Sequence, residues 1–122
     1  MTEPAQIQWG RLDEFARFSP ADGIAMQLIA GDKLAVNLVT LDPGAIVPNH
    51  AHSNEQAGYV VSGSIHMSIA GETRTLGPGE SYLIPGEVPH GATAGEEGCQ
   101  VIDIFSPPRA DYLEMARNAA GR

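Results

Sequence analysis

Turn-forming residues interrupt this chain so often that no long helix fits between them. Gly31-Asp32-Lys33, Asp42-Pro43-Gly44, Ser62-Gly63, Gly71-Glu72, Gly77-Pro78-Gly79-Glu80, the acidic stretch Gly95 to Gly98 and Pro107-Pro108 follow one another along the chain. Glycine reaches backbone conformations closed to other residues and proline removes a ladder donor, so each cluster marks a reversal. Between the clusters lie apolar runs of strand length: Gly23 to Ile29, Leu34 to Leu41, Gln56 to Val61, Ser64 to Ala70, Thr73 to Leu76, Ser81 to Ile84, Val88 to Thr93 and Cys99 to Phe105. Many short strands at regular spacing fold as a sandwich or a closed barrel. The expected fold class is therefore all-β, with a short helix over Asp111 to Asn118 whose Tyr112, Leu113 and Met115 are available for docking. The divisions read as an N-terminal segment, 1–22, where Ile7-Gln8-Trp9 and Phe15 to Phe18 supply a short strand; a barrel, 23–109; and a C-terminal helix, 110–122.

Side-chain parity then sorts the strands. Both faces of Leu34 to Leu41 are largely apolar, as in a strand covered on both sides. Ile65, Met67 and Ile69 take one face of the later strand, and Ser64, His66 and Ser68 the other. With 122 residues the chain reads as one domain able to build a core without staples. A formal charge of −8 argues against a nucleic-acid partner. The single cysteine, Cys99, permits no internal disulfide. Neither a signal peptide nor a membrane span is visible, so a soluble cytoplasmic protein is expected.

Histidines mark the chemistry. On an extended strand His50 and His52 share a face, Gln56 follows four residues later, and His90 lies in a second segment, Gly77 to His90. Three imidazoles and one amide oxygen suit one divalent transition metal; nickel, zinc, manganese, iron and copper all fit such donors. Glu55 points to the opposite face from Gln56 and is not taken as a ligand. On the last strand Val101, Asp103 and Phe105 share a face, while Ile102 and Ile104 take the other. A carboxylate among apolar neighbours costs free energy unless it has a partner or a task. If that face lines the lumen, Asp103 is a general acid/base near the metal and Phe105 a wall. Arg109, just past the strand, can clamp a substrate carboxylate with its planar fork. His66 reads as a surface or lumen-polar residue, Arg74 as a solvated residue or a substrate contact, Tyr82 as a packing residue whose hydroxyl can reach a lumen ligand, and Trp9 and Phe18 as core or dimer-seam residues.

These segments resemble the cupin family. Its first motif, Gly-x5-His-x-His-x(3,4)-Glu-x6-Gly, falls on Gly44, His50, His52, Gln56 and Gly63; its second falls on Gly79, Pro85 and His90. The chain departs at Glu87, where glycine is usual, and at Ala94, where asparagine is usual. The resemblance implies a jelly-roll barrel, or double-stranded β-helix, from about Gly23 onward. Gln56 stands where most cupins place a glutamate. Glutamine leaves the full charge on the ion, which makes it a stronger Lewis acid toward an anionic ligand.

The ending DIFSPPRADYL, in register with HAHSNEQAGYVVSG, is similar to the KdgF-type cupins of pectin and alginate breakdown. That resemblance implies conversion of 4,5-unsaturated monouronates to linear keto forms. It implies a metal on His50, His52, Gln56 and His90, with Asp103, Phe105 and Arg109 serving the reaction. The ligand would be a small anionic sugar or metabolite. Two other functions compete: a metal-dependent dioxygenase, which needs oxygen, and a non-catalytic metabolite-binding cupin, for which Asp103 is dispensable. The apolar strands at 23–41, with the resemblance, suggest a homodimer.

Overall fold

Two long strands carry the architecture of the computed structural model, which describes residues 6–121. After a 3-10 turn at Leu12–Glu14 come β1 (Phe18–Ala21), β2 (Ile24–Ala30), β3 (Ala35–Leu41), β4 (Ile46–His50), β5 (Glu55–Ile69), β6 (Glu72–Leu76), β7 (Ser81–Ile84), β8 (His90–Ser106) and the helix α1 (Ala110–Ala119). β5 and β8 run antiparallel and serve both sheets of the barrel. Their Glu55–Gly63 and Cys99–Ser106 halves sit between β3 and β7; their Ile65–Ile69 and His90–Ala94 halves sit between β4 and β6. β1 and β2 extend the first sheet beyond β3. The fold is an all-β jelly-roll barrel with one short C-terminal helix.

Two pairs of expected strands are thus single strands. Gln56 to Val61 joins Ser64 to Ala70 through Ser62-Gly63, and Val88 to Thr93 joins Cys99 to Phe105 through the acidic stretch. The register shows how: Gly63 pairs with Cys99 and Ile65 with Ala94, so residues 95–98 oppose Ser64 alone and bulge outward. Gly63 and Gly98 adopt φ of +75° and +78°, and a Cβ on Gly63 would overlap the Gly98 carbonyl. The glycines let the strand bend between sheets without leaving it. The N-terminal expectation also changes: no strand forms at Ile7 to Trp9, which lie exposed, and the first strand starts at Phe18.

Lumen-facing side chains follow the pleat. Ile24, Met26, Val39, Leu41, Val60, Ile65, Met67, Ile84 and Val101 form one buried cluster, with Tyr112 and Met115 of α1 packed against it. Phe18 belongs to this core, whereas Trp9 is exposed. The β5–β6 reversal centres on Ala70 and Gly71, both at positive φ, one residue earlier than the sequence suggests. Paired positive φ values give a turn whose twist matches the strands it joins. No helix among the described residues is long and apolar enough to cross a membrane.

Candidate metal centre and the acid beside it

His50 closes β4 and pairs directly with His90 at the start of β8, so their imidazoles face each other across the ladder. His52 lies beyond the end of β4, so strand parity does not bring it to the site. The loop does this instead, with Glu87 N–H donating to the His52 carbonyl at 2.7 Å. Ring centroids are separated by 4.4 Å for His50–His90, 4.8 Å for His52–His90 and 5.4 Å for His50–His52. One nitrogen from each ring lies within 4.8 Å of the others.

The hydrogen bonds fix which nitrogen that is. Nδ1 of His50 lies 2.8 Å from the Pro48 carbonyl, Nδ1 of His52 3.0 Å from that of Asn54, and Nδ1 of His90 2.8 Å from that of Val88. A carbonyl can only accept, so each Nδ1 donates and each Nε2 holds a lone pair. His90 Nε2 is buried with no partner. His52 Nε2 faces Gln56 Oε1 at 3.1 Å, one acceptor against another. A cation resolves both frustrations at once, and backbone carbonyls behind the rings are the usual means of orienting histidine ligands. Burial, then the nearby His50 and His52, hold the His90 imidazole below its ordinary pKa, in the neutral form a metal needs. These residues fit a divalent transition metal.

Gln56, buried on β5, links the cage to the acid, while Glu55 is exposed on the other face. Asp103, on β8, is 7% exposed and lines a cavity of about 330 Å³ that also reaches His50, His90, Phe105 and Arg109. Burial pushes its carboxyl up to about 6, against the lowering effect of hydrogen bonding from Tyr82 and Gln56. The Tyr82 hydroxyl donates to Asp103 Oδ1 at 2.5 Å. Phe105 is buried edge-on to His52 at 5.8 Å between centroids.

Arg109 lies at the start of α1, where helix and cavity mouth meet. Its guanidinium stands 4.1 Å over the Tyr112 ring and donates to both Asp111 oxygens, at 3.2 and 2.8 Å. The fork is therefore held by the chain's own carboxylate at the cavity rim. His66 hydrogen-bonds Thr75 on the outer surface, away from the cage.

Several participants carry no sequence signal. Asn54 donates to the Pro107 carbonyl at 2.6 Å, tying the histidine loop to the end of β8. Asn37 pairs with Asp103 across β3 and β8, is 1% exposed, and has no partner for its amide. Nothing in the linear order joins these residues. Glu87, by contrast, had a marker: it adopts φ +67°, the left-handed conformation that explains a glycine at this motif position. The adjacent Gly86 packs where a Cβ would meet the Ser53 carbonyl at 2.5 Å.

The cupin domain family matches residues 37–105. The chain is 40% identical over 94 residues to the pectin degradation protein KdgF of Dickeya dadantii, covering 75% of this chain and 86% of the relative. Among solved structures, KdgF from Halomonas sp. superposes with a TM-score of 0.83 at 34% identity, over 88% of this chain and all 100% of the other. An RmlC-like cupin from Shewanella frigidimarina superposes with a TM-score of 0.82 at 29% identity, over 90% and 99% of the two chains.

Proposed function

The chain belongs to the cupin family, and from that premise we propose that it opens and ketonises 4,5-unsaturated monouronates derived from pectin or alginate. The carrying observation is a buried carboxyl, Asp103, in one cavity with Gln56 and with His50 and His90, two members of the three-imidazole cluster that His52 completes. Likeness to the pectin degradation protein of Dickeya dadantii supports a uronate as the substrate class. His50, His52, Gln56 and His90 hold one divalent transition metal. When bound, it supplies Lewis acidity toward substrate oxygens.

The remaining work falls to side chains. Asp103 takes the proton of the anomeric hydroxyl as the C1–O5 bond breaks and the C1 carbonyl forms. The electron pair moves through O5 and C5 to C4, and Asp103 returns the proton there. Substrate and product are isomers, so no oxidant enters. A carboxyl raised to about 6 is suited to both proton transfers near neutral pH. Arg109 exchanges Asp111 for the substrate carboxylate, which lets an acidic protein bind an anion. Phe105 forms the apolar wall. The same reading takes the protein as a cytoplasmic homodimer joined through the outer sheet face that exposes Tyr59, Leu83 and Ile104.

The test is incubation of the metal-loaded protein with 4,5-unsaturated galacturonate without oxygen, following loss of the enol ultraviolet absorbance. Turnover is expected, and Asp103→Ala should lower it by about 10²–10⁴-fold, the usual contribution of a positioned acid/base. Failure with metal bound overturns the reading. Oxygen consumption in its place would indicate the dioxygenase, and binding without conversion the metabolite-binding cupin.

A further inference from the structure

One cross-strand row spans the floor of the cavity. Gly58 on β5 pairs with Tyr82 on β7 at one side and with Asp103 on β8 at the other. In such a row the three side chains point to one face, and the two outer strands stand one strand apart. Tyr82 therefore meets Asp103 only by lying across the middle strand. It can do so because that strand carries no side chain there: a Cβ on Gly58 would overlap the far end of the tyrosine ring, at Cζ, Cε2 and Oη. Gly58 is at ordinary strand φ, so the turn-type explanation of a glycine does not apply. Its absent side chain is the space the phenol occupies.

We propose that Tyr82 is a positioning residue for Asp103 and that Gly58 is the gap that admits it. The proposal rests on the uronate reading of this site and assigns it one more working part. Oδ1 accepts from the phenol, which anchors one oxygen of the carboxyl that exchanges a proton with substrate. The phenol is tied down by packing along the barrel floor, so it fixes the plane of the carboxyl before substrate arrives. Small misplacements of an acid/base are costly to rate, and binding of the sugar's own carboxylate lies elsewhere, at Arg109. Loss of the clamp should therefore appear in kcat rather than in KM.

The experiment is a double-mutant cycle in the metal-loaded protein with 4,5-unsaturated galacturonate. Tyr82→Phe keeps the ring and removes the donor; it should lower kcat about 10- to 100-fold, with KM within about twofold. Gly58→Ala places a methyl where the end of the phenol ring lies, so the ring must turn away from Asp103, and should give the same loss of kcat. The double variant should be no worse than either single one, because both remove one contact. A Tyr82→Phe protein with wild-type kcat, or a double variant showing the product of the two losses, overturns the proposal. A wild-type protein without turnover overturns the uronate reading instead. The clamp is then judged by thermal denaturation of metal-free protein: Tyr82→Phe should lower the midpoint in the wild-type background but not beside Asp103→Leu. Equal shifts in the two backgrounds overturn it.

Discussion

The two walls of the cavity are prepared in opposite ways. The imidazole wall is oriented by backbone: every Nδ1 donates to a carbonyl two residues away, at Pro48, Asn54 or Val88. The acid wall is oriented by side chains from other strands, Tyr82 on β7 and Gln56 on β5. A ligand held by its own neighbours in sequence keeps its orientation whatever lies across the barrel. An acid held by distant side chains depends on the register of three strands. Metal binding and proton transfer should therefore fail separately, and Gln56 alone belongs to both walls.

The strongest attempt to break this separation is His90→Ala. Bound metal, measured by elemental analysis after dialysis, should fall by more than about 100-fold in affinity, beyond the 10–100-fold typical of altering a mere supporting residue. The Tyr82–Asp103 contact should survive it, since His90 touches neither group. A variant that still holds stoichiometric metal would show the cage to be assembled otherwise.

Asp103→Asn probes the opposite wall and should stabilise the metal-free protein. The folded-state carboxyl is raised from 3.8 to about 6, so its destabilising effect is absent below pH 4, grows between pH 4 and 6, and is constant above. Asparagine removes roughly 3 kcal/mol of it at pH 8 and nothing at pH 3.5. Urea denaturation at the two pH values checks this, and metal content should not change. Equal stability at pH 8 would mean that the acid wall satisfies a carboxylate as well as it does an amide.

The smallest effect is expected at Glu87→Gly, behind the imidazole wall. A non-glycine residue at φ +67° carries roughly 1 kcal/mol of strain, so glycine should raise stability by up to about that amount. The N–H bond to His52 is retained, so metal affinity should stay within error. Loss of affinity would show that the loop, rather than the Nδ1 bonds, sets the cage.

The same contrast explains what could be read from the sequence. His50, His52, Gln56 and His90 were legible as candidate ligands because motif spacing marks them, and the structure gathers the three imidazoles. Asp103 and Phe105 were readable as sharing a face, since parity is a property of one strand, and the structure turns that face to the lumen. Tyr82 read as packing with a hydroxyl able to reach the lumen, but its partner was not legible, because Asp103 lies 21 residues away and the route crosses Gly58. Asn37 and Asn54 were silent for the same reason. In the fold, Gly63 and Gly98 read in the sequence as ends of strands because glycine marks bends and turns alike; only pairing partners distinguish them. His52 reached its place by a loop bond rather than by strand parity.

The outward excursion at residues 95–98 has a consequence for how this chain tolerates altered length. It lies between the β8 half that carries His90 and the half that carries Asp103, and Glu96 and Glu97 project into solvent. A residue inserted there lengthens a bulge and leaves both pairings in phase. The same insertion between Cys99 and Asp103 would rotate the acid to the outer skin of the barrel, because side chains alternate at every step. Indels should accumulate at the first place and be lethal to chemistry at the second.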